Sequence, residues 1–164
     1  AKLSDIYGKR KVLTRALLIN LSLSLILFFH PIENPIYFII INSIANIGQS
    51  FFMIYIWAFV GDAIDYHEYK YKTRNDGTIY STYTFSRKLG TTIASAAATA
   101  VLAAIGFISG QNSQSVEVSN SIRYLATSIP IIATLIELVG IRVIYHLSRE
   151  DSRIISQRLL LRAN

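Results

Sequence analysis

Four stretches of this chain, Leu13 to Phe29, Ile36 to Val60, Tyr80 to Ile108 and Tyr124 to Tyr145, are long and carry few charges. About twenty mostly apolar residues in a helix cover the hydrocarbon core of a bilayer. A segment inside lipid has no water for its backbone groups, so each such stretch must close its hydrogen bonds within itself, as a helix does. A chain of 164 residues has no soluble core large enough to hide four of them. Charged residues make up only 16% of the chain, below the quarter or so usual in soluble domains. The predicted fold class is therefore an all-α membrane protein with four transmembrane helices, about 13–29, 36–60, 80–108 and 124–145, and a charged tail over 146–164. The chain opens on Ala1 in a charged stretch, and the expectation is an interior piece of a longer protein. It holds no cysteine, so disulfides and thiol chemistry are excluded.

Lys and Arg in the connections set the orientation, because cytoplasmic loops carry the excess of positive charge. Lys2, Lys9, Arg10 and Lys11 precede the first helix, Lys70, Lys72 and Arg74 lie in Gly61 to Gly77, and Arg149, Arg153, Arg158 and Arg162 lie in the tail. The other two connections hold only Arg123. Both ends and the Gly61 to Gly77 loop are therefore expected on the cytoplasmic side. The net charge of +6 follows from this orientation, which gives no reason to expect nucleic acid as a partner. Pro31 and Pro35 bracket an external turn, and Pro130 sits inside the fourth helix. The tail is expected as a solvated helix end or as an amphipathic helix on anionic lipid.

Arg87 and Lys88 stand about two turns into the third helix. A charge at mid-membrane costs on the order of 3 kcal/mol, while a leucine returns only about 0.5 kcal/mol. Helical spacing puts Ser81, Thr84, Lys88, Thr91 and Ser95 on one stripe, either facing a wet cavity or lying where long stems let the bases reach the headgroups. Asp62 and Asp65 end the second helix, where they can pair with bases of the loop or of the entry, at most about 1 kcal/mol for a solvated pair. Glu137 lies inside the fourth helix with no base one turn away, and is protonated, paired with another helix, or functional. His30, His67 and His146 show no ligand spacing, so no metal site is expected, and no nucleophile has a plausible base, so no enzyme is expected.

The stretch "GDAIDYHEYKYKTRNDGTIYSTYTFSRKLG" resembles the signature of the glycoside-pentoside-hexuronide:cation symporters, a branch of the major facilitator superfamily. In that signature D-x-x-D-Y-x-E-x-K-x-x-x-R is followed by Y-S and K-x-G. Asp62, Asp65, Tyr66, Glu68, Lys70, Arg74, Gly77, Tyr80, Ser81, Lys88 and Gly90 fall in register. "LSDIYGKRKV" resembles the superfamily loop motif D-x-x-G followed by two bases, through Asp5, Gly8, Lys9 and Arg10. The resemblance implies helices nine to twelve of a twelve-helix transporter working by alternating access. It implies a sugar cavity at Lys88, Thr84, Tyr83 and Arg87, and a cytoplasmic gate network of Asp5, Arg10, Asp62, Asp65, Glu68, Lys70 and Arg74. No cofactor is implied beyond a coupling cation, Na+ or H+, bound mainly by the missing N-terminal bundle. The other partners implied are a sugar and the lipid bilayer of the cell membrane.

Arg87-Lys88-x-Gly90 and the link "GQNSQSVEVSNSIR" resemble the glucuronide and hexuronide members, which implies an anionic sugar; otherwise Arg87 pairs with Asp62 or another helix and only positions Lys88. Ile54 stands where some relatives have an aromatic near the sugar, with Tyr55 and Trp57 beside it. The rival reading is a membrane protein that does not transport: a sensor, a scaffold or an inactive remnant.

Overall fold

Lys9–Phe29, which we call α1, buries Leu13, Leu17, Asn20, Ser24 and Leu27. These positions step by four and three residues, which keeps one stripe of a helix facing a partner. Gly8 precedes the helix with φ 83°, a backbone conformation that a side chain resists. The computed structural model describes residues 7–30, 32, 34–111, 113–145 and 149–163. Within them the other helices are α2 (Pro35–Tyr71), α3 (Asp76–Ala104), α4 (Val116–Val143) and α5 (Arg149–Ala163).

The stripe of α1 packs against α2 and α4. On α2 the facing positions are Ala45 and Gly48, both buried, followed by Phe52, Tyr55 and Phe59, which pack on the cluster of Leu13, Leu17 and Ile141. On α4 they are Thr127, Thr134 and Ile141, one every seven residues. The small residues matter most. A Cβ at Gly48 would lie 2.5 Å from the Ala16 carbonyl oxygen and 2.9 Å from the Asn20 Cβ, so α1 and α2 touch backbone to backbone there. At the same level Asn20 Nδ2 donates to the Ala45 carbonyl at 2.7 Å, and Thr134 Oγ1 donates to Asn20 Oδ1 at 2.7 Å. One buried amide thus ties three helices. Outward the bundle shows Ile36, Ile40, Ile44 and Ile47 on α2, and Ile129, Ile132, Ile136 and Val139 on α4. A polar seam inside and an apolar coat outside suit lipid as the surrounding solvent.

Three helices, α1, α2 and α4, are long and apolar enough to cross a membrane. The third expected span differs: α3 is long enough, but Arg87, Lys88 and its many hydroxyl and alanine side chains leave it short of that hydropathy. It ends at Ala104, so Ile105 to Ile108 fall outside it. No residue of α3 is buried; Trp57 of α2 meets Tyr80 and Tyr83 at ring distances of 5.8 and 5.2 Å.

Gly61 to Gly77 is not a loop throughout. Asn34 caps α2 by accepting from the Ile36 amide, Pro35 pre-sets its first turn, and the helix then runs for 37 residues to Tyr71. Asp62 and Asp65 are therefore inside the helix. Charged residues keep helical hydrogen bonds as long as no glycine or proline breaks the run, and Gly61 alone does not stop it. At 1.5 Å per residue α2 is about 55 Å long, so some 25 Å extends past a hydrocarbon core of about 30 Å. The turn comes at Lys72, with φ 61°. The tail is likewise helical: α5 lies along α2, burying Ile155, and Arg158 donates to the Tyr69 hydroxyl at 2.7 Å.

Candidate functional site

The polar stripe of α3 is built from residues that return hydrogen bonds to their own helix. Thr91 donates to the Arg87 carbonyl, Thr92 to that of Lys88, Ser95 to that of Thr91 and Thr99 to that of Ser95, all within 3.1 Å. A hydroxyl bonded this way costs little in an apolar phase. Thr84 differs, since its Oγ1 is buried and has no partner among the described residues. Thr84, Arg87, Lys88, Thr91 and Thr92, at steps of three and four, line one recess of about 460 Å³. Thr84, Arg87 and Lys88 are thus brought together. Tyr83 points elsewhere, with its ring edge-on to Trp57. Neither base of the recess has a carboxylate partner among the described residues. Asp62, the alternative partner for Arg87, is occupied by other groups.

The charges of the expected gate fall into two clusters. At the meeting of α1, α2 and α4, Lys9 Nζ donates to Asp62 Oδ1 at 2.8 Å and the Tyr145 hydroxyl donates to Asp62 Oδ2. Asp62 is largely buried, its side chain 11% exposed. Around the turn, Arg74 donates to Glu68 at 3.0 Å and to Asp76 at 2.9 Å. The Asp76 carboxylate hydrogen-bonded to it pushes the Arg74 guanidinium further above its already high range, so it stays charged at any pH the protein meets. Arg10 donates to the Arg142 carbonyl at 3.3 Å, and Lys70 lies over the rings of Tyr66 and Tyr71. Asp65 makes no hydrogen bond among the described residues, and Asp5 lies outside them. Lys9 is one of the entry bases expected to pair with Asp62, whereas Tyr145 and Asp76 are the partners missed in the sequence. Tyr145 was legible in principle, because antiparallel spans bring the start of the first, the end of the second and the end of the fourth to one level.

Deeper in the bundle, Gln49 Nε2 of α2 donates to Glu137 Oε1 of α4 at 2.7 Å, while Glu137 Oε2 is buried with no partner. Beside this pair a cavity of about 1000 Å³, lined mostly by apolar side chains, runs between α2, α4 and α5.

Apolar helices with a buried polar seam, a cationic recess on a helix set apart and clustered charges where the spans end describe a membrane protein of the transporter type. The chain belongs to the MFS/sugar transport protein family, which matches over residues 1–149. It is 32% identical over 158 residues to the uncharacterized symporter YjmB of Bacillus subtilis (strain 168), covering 96% of this chain and 34% of that protein. It is 28% identical over 146 residues to a putative 2,3-dihydroxypropane-1-sulfonate exporter of Salmonella typhimurium, covering 88% of this chain and 31% of the relative. A glucuronide carrier protein homolog of Escherichia coli is 35% identical over 88 residues, 54% of this chain and 19% of that protein. The chain thus spans about a third of the length of the first two relatives. No solved structure matches it. The family and these relatives are transporters, as the symporter signature implied.

Proposed function

We propose that this chain is the part containing helices nine to twelve of a sugar:cation symporter, and that it supplies a cationic surface for a sugar carrying a carboxylate or sulfonate. The observation that carries this reading is the recess of α3, where Thr84, Arg87 and Lys88 share one face and neither base is neutralised by a neighbour. Two unpaired bases among apolar helices are costly unless an anion or water meets them. A guanidinium holds a carboxylate or sulfonate by two parallel hydrogen bonds, Lys88 adds a point charge, and the free Thr84 hydroxyl reaches a sugar hydroxyl. A sulfonate and a glucuronide, named for two relatives, are both anions.

Transport follows by alternating access between two bundles, with Na+ or H+ bound mainly by the other bundle. The Lys9, Asp62 and Tyr145 cluster and the Glu68, Arg74 and Asp76 cluster serve as the cytoplasmic gate, with Arg10, Asp65 and Lys70 beside them, at the cell membrane with both ends of the chain inside. In the intact carrier, Arg87→Gln weakens competition by a uronate about tenfold or more and by the matching neutral glycoside far less. Equal loss for both sugars overturns the anion reading.

A further inference from the structure

Glu137 belongs to none of the clusters just described. Its carboxyl group lies within α4, about two turns before the end of that helix, and borders the large apolar cavity. Its Oε1 is satisfied by Gln49, and its Oε2 has no partner among the described residues. A buried carboxylate must be neutralised by a base, a metal cation or a proton. No Lys or Arg lines the cavity, and Lys9 is taken by Asp62. A metal cation of the hard type needs about six oxygens, and no group of three or more acidic or histidine side chains that could hold one exists among the described residues. A proton needs one.

We infer that Glu137, held by Gln49 at the wall of this cavity, is a proton-binding site within the membrane-spanning part of the chain, distinct from the α3 recess. Oε2 takes the proton from a water that enters the cavity, leaving hydroxide to the solvent, and the carboxylate becomes a neutral acid; the reverse transfer restores the carboxylate when water returns. The Gln49 hydrogen bond goes to Oε1 and survives both states. A water takes about 30 Å³ of liquid volume, so a cavity this large admits several when it is open. The other titratable groups on its walls are Tyr66 and Tyr69 of α2, Tyr145 just past α4 and Asp151 of α5, with Asp62 bonded to Tyr145 and Lys9 of α1 bonded to Asp62; α3 contributes only Ile79.

The site is tested without any transport assay, so its outcome is independent of the symport reading. A hydrophobic carbodiimide reacts with carboxyl groups in their protonated form, and the labelled residue is located by mass spectrometry on the protein in its own membranes. Label at Glu137 is expected under acidic conditions and lost as the medium is made alkaline. Glu137→Gln, which preserves the shape and a partner for Gln49, abolishes it. In Gln49→Leu the pH profile of the label changes, because the hydrogen bond to Oε1 is gone. No label at any pH, equal label at both, or label unchanged by Glu137→Gln overturns the proposal; an unchanged pH profile in Gln49→Leu removes Gln49 from the site.

Discussion

Single charges in this protein differ widely in what they are worth, and exposure decides the difference. Lys9 and Asp62 are paired where Asp62 is largely buried, whereas Arg74 stands in open solvent between Glu68 and Asp76. An exposed pair contributes between nothing and about 1 kcal/mol, and removing one member of a shielded pair strands the other. Asp62→Asn should therefore lower thermal stability in detergent measurably, with a loss that shrinks when the Lys9 charge is removed as well. Arg74→Gln should leave stability unchanged within error. If the two substitutions cost the same, the Asp62 cluster is not shielded in the way its burial indicates. These residues also show what a sequence can tell. The motifs picked out Lys9, Asp62, Glu68 and Arg74, but Tyr145 follows a separate helix, and its convergence on Asp62 is set by packing that no local pattern records.

Among the elements, the crossing of α1 and α2 is the most sharply defined. Gly48 has the Ala16 carbonyl where its side chain would be, and Gly61 and Gly140 have nothing within 4 Å. Gly48→Ala should destabilise the bundle by about 1–3 kcal/mol through forced separation of the helices. Gly61→Ala and Gly140→Ala should be neutral, or stabilising by about 0.5–1 kcal/mol as helix propensity alone dictates. Melting of the three variants in one detergent settles it; a Gly48→Ala variant as stable as the other two would mean that the close approach does not exist in lipid. The spans that became α1, α2 and α4 were legible because apolar length is a strong signal. The extension of α2 from Gly61 to Tyr71 was not, since a charged run reads as a loop until its uninterrupted helical hydrogen bonds are seen. The tail was half legible: its helix was one of two readings, but its seat on α2 depends on Ile155 and on the Arg158 bond to Tyr69.

For the whole molecule, the distribution of bases fixes an expectation about sidedness. The turn at Lys72 to Asn75 and the link before α4 lie at opposite ends of α3. A single cysteine at Ser113 should react with an impermeant thiol reagent added to intact cells, and one at Asn75 should react only after the membrane is opened. Reaction of Asn75→Cys from outside would invert the proposed orientation.

Because α2 is one uninterrupted rod, it has the mechanics of a lever. Its tightest bearing is Gly48 against α1, and its far end at Tyr71 lies 23 residues, about 35 Å, farther along. A tilt of about 10° about that bearing carries the tip through about 6 Å, more than enough to part hydrogen bonds of about 3 Å around Arg74. Within the lipid the same tilt moves Trp57, only nine residues from the pivot, by little more than 2 Å. A small adjustment where a ligand would sit is thereby magnified at the water-exposed end, with no hinge along the way to absorb it.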